Sequence, residues 1–309
     1  MNKLIFALAS MLFLLGCAFQ TSQETDYRVG YAGLNLEYIT FPDYQVYEKE
    51  DFLVQIKAEN RGAYDLDKGV IVLGYPSSFI QAEPGRFSVS QVLHGSSVGF
   101  PIGEANFYDA EFKAKPIFAA EKQSFDITAT ACYKYTNVAE MLACVGPRTG
   151  LGSCNFKQLN RNLNLSRGQG SPLAVTEVEE TIIEMGQGKV IPRFRIVVAN
   201  MGKGNVFRNP ATNVEKMCSS SGVGDDLNRF DFAIQLSKDY TYDSKSPGQG
   251  RFSCPAKFKL EDDKVELICS LKEPIDAGNT YSTLFKIQLD YGYSTSITKQ
   301  VTVARPLTQ

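Results

Sequence analysis

The sequence predicts an all-β protein built from two copies of one plan, and three observations carry that prediction. Strand-favouring residues are abundant, with 20 Phe and 15 Tyr among 309 residues, while sustained helical periodicity is scarce. Short runs of alternating apolar and polar residues recur between turn signals. Two landmarks of the first half then return, in the same order, in the second.

The elements follow in chain order. Asn2 and Lys3 precede an apolar run over residues 4–15. That run is shorter than the roughly 20 residues a membrane-spanning helix needs, and it suits the h-region of an export signal. It ends in Leu14-Leu15-Gly16-Cys17, which resembles the lipobox of secreted lipoproteins. The resemblance implies cleavage before Cys17 and a diacylglycerol on its thiol. Residues 1–16 are therefore expected as a signal peptide and residues 17–26, rich in Gln, Ser and Thr, as a lipid-anchored tether. Leu15 departs from the smaller residue commoner at its position. An ordinary cleaved signal and an uncleaved anchor with an incidental cysteine remain the alternatives.

Folded sequence is expected from Tyr27, with a first sandwich over residues 27–147. Residues 52–58 (FLVQIKA) alternate and meet the turn signal Asn60-Arg61-Gly62. Residues 70–73 and 78–81 flank Pro76 as short strands, and residues 107–113 and 125–135 alternate again. Residues 141–145 are expected to return as the hairpin partner of 125–135 after a short turn. In the second half, residues 193–198 (RFRIVV) lead into Asn200-Met201-Gly202, matching the first landmark. Residues 285–293, a Ser/Thr turn and residues 299–304 copy the second, with Tyr291 and Tyr293 standing for Tyr133 and Tyr135. The offsets are about 140 and 158 residues, and the halves close on Pro147 and Pro306. Residues 148–170, rich in Gly, Asn and Arg, read as a linker before a second sandwich over 171–309. Several short strands in about 120 residues per copy suit two tandem immunoglobulin-like β-sandwiches. The chain has no Trp, so the antibody-type Cys…Trp…Cys pattern is absent.

With Cys17 set aside for lipid, Cys132, Cys144, Cys154, Cys218, Cys254 and Cys269 remain. An even remainder in an exported chain implies disulfides. A zinc site is the alternative, but there is no CxxC and the single histidine is His94. Cys132 and Cys144 are equidistant from the expected turn near position 138. Cys254 and Cys269 flank a second hairpin whose turn is Glu261-Asp262-Asp263-Lys264. That arrangement leaves Cys154 for Cys218. Each half holds three of the six, so full pairing demands at least one bond between the halves.

Composition narrows the function. A net charge of −2 without charge runs implies neither nucleic acid nor an anionic membrane as partner. His94 lies in a Leu-His-Gly-Ser-Ser turn, so no nucleophile–base constellation can be built away from it. Asp225-Asp226 and Glu261-Asp262-Asp263 read as solvated loops, with calcium binding left open but no EF-hand spacing to support it. No phosphate loop, dinucleotide fingerprint or HExxH occurs, so no catalytic residue, cofactor or metal is expected. Tyr240, Tyr242, Tyr291 and Tyr293 are candidates for a recognition surface, with core packing as the alternative. Asn164-Leu165-Ser166 is a glycosylation sequon.

Gly30-Tyr31-Ala32-Gly33-Leu34, the run from Val46 through Phe52 to Asp65, and Gly168-Gln169-Gly170-Ser171-Pro172-Leu173 resemble poorly characterised archaeal surface lipoproteins. These carry tandem immunoglobulin-like modules similar to CARDB-type adhesion domains and S-layer-associated domains. The resemblance spans nearly all of the mature chain and implies a β-sandwich protein on the cell surface, anchored to the membrane through lipid. Its expected partner is a surface-layer or other envelope protein, or a glycan. It supplies no catalytic residues to carry over.

Overall fold

A computed structural model describes residues 27–118, 120–147, 164–208, 214–218, 224–255 and 257–306. The expected signal and tether, Cys17 and Cys154 lie outside the described residues. The first half forms β1 (Leu34–Thr40), β2 (Val46–Tyr47), β3 (Asp51–Asn60), β4 (Gly69–Gly74), β5 (Ile80–Glu83), β6 (Arg86–Val89), β7 (Ala105–Ala114) and β8 (Lys122–Val145). The second forms β9 (Leu173–Gly186), β10 (Lys189–Asn200), β11 (Asn205–Arg208), the single-turn α1 (Val214–Met217) and β12 (Asp231–Leu236). It continues with β13 (Tyr240–Asp243), β14 (Phe252–Ser253), β15 (Lys264–Leu271), β16 (Ile275–Asp276) and β17 (Tyr281–Ala304).

The protein is all-β, as the alternation predicts, and its sheets are layered. One sheet, β1-β3-β7-β5, belongs to the first half, and another, β14-β15-β10-β16 with β9 beside β10, belongs to the second. The third sheet is shared. It runs β13-β12-β17-β8-β4-β6, with β11 and β2 also on β17. Its spine is β8 against β17, antiparallel from Tyr281 opposite Val145 to Ala304 opposite Lys122. Each strand has 24 residues, on the order of 80 Å if fully extended. The two sandwiches are thus joined along one continuous sheet.

This corrects the expected hairpins. Residues 136–140 (TNVAE) contain neither Gly nor Pro, and Asn137 is fully buried, donating through Nδ2 to Leu173 O (2.7 Å) and Gln169 Oε1 (3.1 Å). It anchors a strand instead of turning one. The supposed Ser/Thr turn is also strand: Ser294, Thr295 and Ser296 stand opposite Cys132, Ala131 and Thr130. Its hydroxyls pair across the outer face of the ladder, Thr130 with Ser296 and Thr128 with Thr298, each at 2.9 Å.

The disulfides change accordingly. Cys132 and Cys144 are twelve positions apart in one strand, roughly 40 Å, and cannot meet. Cys132 instead bonds Cys218, which corrects both the Cys132–Cys144 and the Cys154–Cys218 expectations. Cys144 is disulfide-bonded as well. The Cys254–Cys269 bond is present across the β14–β15 ladder, closed by a turn in which Asp262 and Asp263 take positive φ of 50° and 62°. The demand for a bond between the halves is met by Cys132–Cys218. That bond pins α1 over the outer face of the shared sheet, where Val70, Cys132, Phe207 and Met217 form a small second core.

Candidate functional site

The two landmarks of the repeat converge at the centre of the shared sheet. Tyr133 faces Tyr293, Tyr135 faces Tyr291, and Lys134 faces Gly292. The offset that carries Tyr133 onto Tyr291 and Tyr135 onto Tyr293 also carries Lys134 onto Gly292, so a local two-fold axis passes through that pair. The four rings close a circuit with centroids 5.7–6.3 Å apart. Their hydroxyls repeat one pattern. Leu34 N donates to Tyr133 Oη (3.1 Å), as Leu173 N does to Tyr291 Oη (3.3 Å). Tyr135 Oη donates to Asn60 Oδ1 and Tyr293 Oη to Asn200 Oδ1, both at 3.2 Å. Each Asn then donates back through Nδ2, Asn60 to Tyr64 O (2.8 Å) and Asn200 to Gly204 O (2.9 Å). The glycine of each Asn-x-Gly is required because a Cβ at Gly62 or Gly202 would overlap the hydroxyl of Tyr135 or Tyr293.

Tyr291 and Tyr293 are therefore not a recognition surface. Both are buried, as is Tyr242, and of the four candidates only Tyr240 keeps partial exposure. Burial pushes the hydroxyls of Tyr133, Tyr135, Tyr291 and Tyr293 above the usual tyrosine range, so the cluster holds its protons and is a structural lock. Sequence reading found the residues; it could not tell a surface ring from a buried one, because the strand carrying them alternates either way.

The remaining predicted positions are dispersed. His94 is exposed and pairs through Nδ1 with Asp65 Oδ2 at 3.1 Å. Asp225 and Asp226 form an exposed 3-10 turn (Gly224–Asp226). Asn164 opens another, Asn164–Arg167. Among the described residues no group of three or more His, Cys, Asp or Glu could hold a metal ion.

One concavity does combine charge with aromatic surface. The hairpin β12–β13 and the strand-like segment from Asn228 meet the segment before β15 through Leu260 N to Asn228 O (2.7 Å) and a bridge between Arg229 and Lys259. Between them lies a cavity of about 130 Å³, lined by Arg208, Arg229, Phe230, Asp231, Tyr242, Ser244, Pro247 and Phe258. Phe258 stacks on Phe232 with centroids 5.3 Å apart and lies 6.0 Å from Tyr242, forming the apolar wall. Arg208 Nε is held by the buried Asp231 at 3.2 Å. Lys245 reaches Asp231 at 3.8 Å and Asp290 at 3.1 Å. Burial alone would raise the Asp290 carboxyl, but hydrogen bonds from Thr136, Gln288 and Lys245 outweigh it and hold the group below the usual carboxylate range. Arg229 differs: its Nε is enclosed and has no hydrogen-bond partner. An enclosed, unpartnered guanidinium N–H beside aromatic walls suits a small anionic group, a carboxylate or sulfate, attached to a ring or chain. No sequence motif marks Arg208 or Arg229, since they come together only when β11 and the strand-like segment before β12 are placed.

No family model matches the chain, and no curated protein matches it.

Proposed function

We propose that this protein is a non-enzymatic, lipid-anchored cell-surface protein that acts by contact, as an adhesion, envelope-structural or protein-interaction module. The observation that carries the reading is the fused sheet: β8 and β17 pair along their whole length and the Cys132–Cys218 bond braces the two halves. Such a body holds its surfaces at fixed spacing, which contact between large partners exploits. The apolar run of residues 4–15 ending in Cys17 and the disulfides suit an oxidising compartment outside the cytoplasm. The resemblance to archaeal surface lipoproteins with CARDB-like modules points the same way. The test is photo-crosslinking on intact cells, with Cys17→Ser as the release control. Recovery of an envelope protein or glycan supports the reading. No such partner, together with tight binding of a small solute, overturns it.

The cavity at Arg229 favours a second reading, a glycan- or solute-binding surface lipoprotein whose ligand carries an anionic group. Calorimetry with sulfated and uronic-acid oligosaccharides tests it, with Arg229→Ala expected to abolish binding. Equal heats for both forms remove this reading.

A further inference from the structure

We infer that the loop of residues 95–103 docks into a lipid bilayer and sets how the protein stands on the membrane. This rests on the proposed anchor at Cys17 and goes beyond it by assigning the face turned to the lipid.

The loop, GSSVGFPIG, is nine residues without a charge, and Val98, Phe100 and Ile102 are 66 %, 69 % and 72 % exposed. Large apolar side chains clustered at one exposed tip mark an interaction site in a folded protein. The tip is also built to hold them out. Glu104 N donates to His94 O (2.9 Å) to form a stem, and Ser97 and Phe100 exchange backbone bonds (2.8 and 3.2 Å) to close a tight turn. The polar groups sit at the base, where the His94 ring lies 3.1 Å from the Asp65 carboxylate and Glu104 accepts from His94 N (3.1 Å), the level that meets headgroups when an apolar tip enters the interface.

The second half supplies an internal comparison. Asn60 N donates to Glu104 O (2.9 Å) and Asn200 N to Asp263 O (2.8 Å), so the two loops occupy equivalent places before β7 and β15. In the second half that place carries Glu261-Asp262-Asp263, all exposed. The fold thus accepts a charged tip there, and apolarity in the first half is not a folding requirement.

The chain's entry point selects the bilayer over other occupants. Ser96 Oγ donates to Gly62 O (3.0 Å) and lies 3.5 Å from Tyr27 O, so Tyr27 stands beside the loop. Nine residues lie between Cys17 and Tyr27, ten steps of chain that extend to at most about 35 Å. A lipid on Cys17 keeps this loop, and not its acidic counterpart, at the start of the tether.

The absence of Trp makes Phe100→Trp a unique reporter. Phe118→Trp is the control, because Phe118 is 83 % exposed and lies past the far end of β7, whose ten residues place it on the order of 30 Å away. Both lipidated full-length variants are bound to phosphatidylcholine vesicles with and without acyl-chain bromination, and flotation and intact mass are measured in parallel. The expected result is a blue-shifted Phe100→Trp emission that falls roughly two-fold or more with brominated lipid, as insertion of about 5–10 Å requires, and an unchanged Phe118→Trp. Flotation with unquenched Phe100→Trp overturns the inference while leaving the anchor intact. A blue shift without vesicles accompanied by a doubled mass overturns it in favour of a second copy. No flotation and an unmodified Cys17 overturn the anchor and this inference together.

Discussion

Asn60 and Asn200 occupy matching positions, yet their surroundings separate them. Asn60 is fully buried and spends its second Nδ2 proton on Leu93 O (2.8 Å), whereas Asn200 turns its own toward the exposed Asp263 carboxylate (3.0 Å). Asn60→Ala is expected to cost roughly 2–4 kcal/mol, since it leaves the Tyr135 hydroxyl proton, the Gly62 N–H and the Tyr64 carbonyl without their partner, and Asn200→Ala about 1 kcal/mol. Urea unfolding of the two variants checks the order. Glu180 predicts a pH effect. It accepts from Cys144 N at 2.9 Å, its other oxygen has no partner, and burial pushes its carboxyl up to about 7. The folded state therefore holds this proton more tightly than the unfolded chain. The associated stability is full below about pH 4 and is lost as pH rises through about 7. Melting temperature should fall between about pH 5 and pH 8, and Glu180→Gln should flatten that fall. A wild-type and variant pair with parallel pH profiles would refute the assignment.

The strands show where sequence reading works and where it stops. Alternation locates β3, β7 and β10 to within about four residues and marks the two arms of β8 and of β17, because each buries one face. It fails at residues 136–140 and 294–298, where Asn, Ser and Thr read as turns but continue the strand. Those residues face a partner strand from the other half, and long-range pairing of that kind leaves no local trace. The same cause moved Cys132 from Cys144 to Cys218, while Cys254–Cys269, closed by a local hairpin, was legible. The Arg229 cavity was not, since its walls come from separate segments. Chain-entropy reasoning ranks the two bonds: 86 residues separate Cys132 from Cys218 and 15 separate Cys254 from Cys269. Replacing the first pair by Ala should cost roughly 4–5 kcal/mol and the second about 3 kcal/mol. Chemical denaturation of both double variants measures this, and a reversed order would contradict the loop-length account.

At the scale of the whole molecule, neither half is closed without the other. A fragment of residues 27–147 would leave β8 with a bare edge over its 24 residues, a template for pairing with another chain. It should run as a dimer or larger species in size-exclusion chromatography with light scattering. A stable monomer would show that the shared sheet is dispensable. The local two-fold axis through Lys134 and Gly292 also speaks of ancestry. A strand that pairs with its own copy about such an axis is the seam of a homodimer, and a homodimer's stability rises and falls with subunit concentration. Joining both subunits in one polypeptide removes that dependence, so the seam holds at any dilution. It also frees the twins to differ. Gly292 makes room for Met217 against the sheet where its counterpart is Lys134, and one twin keeps an oily tip where the other keeps an acidic one.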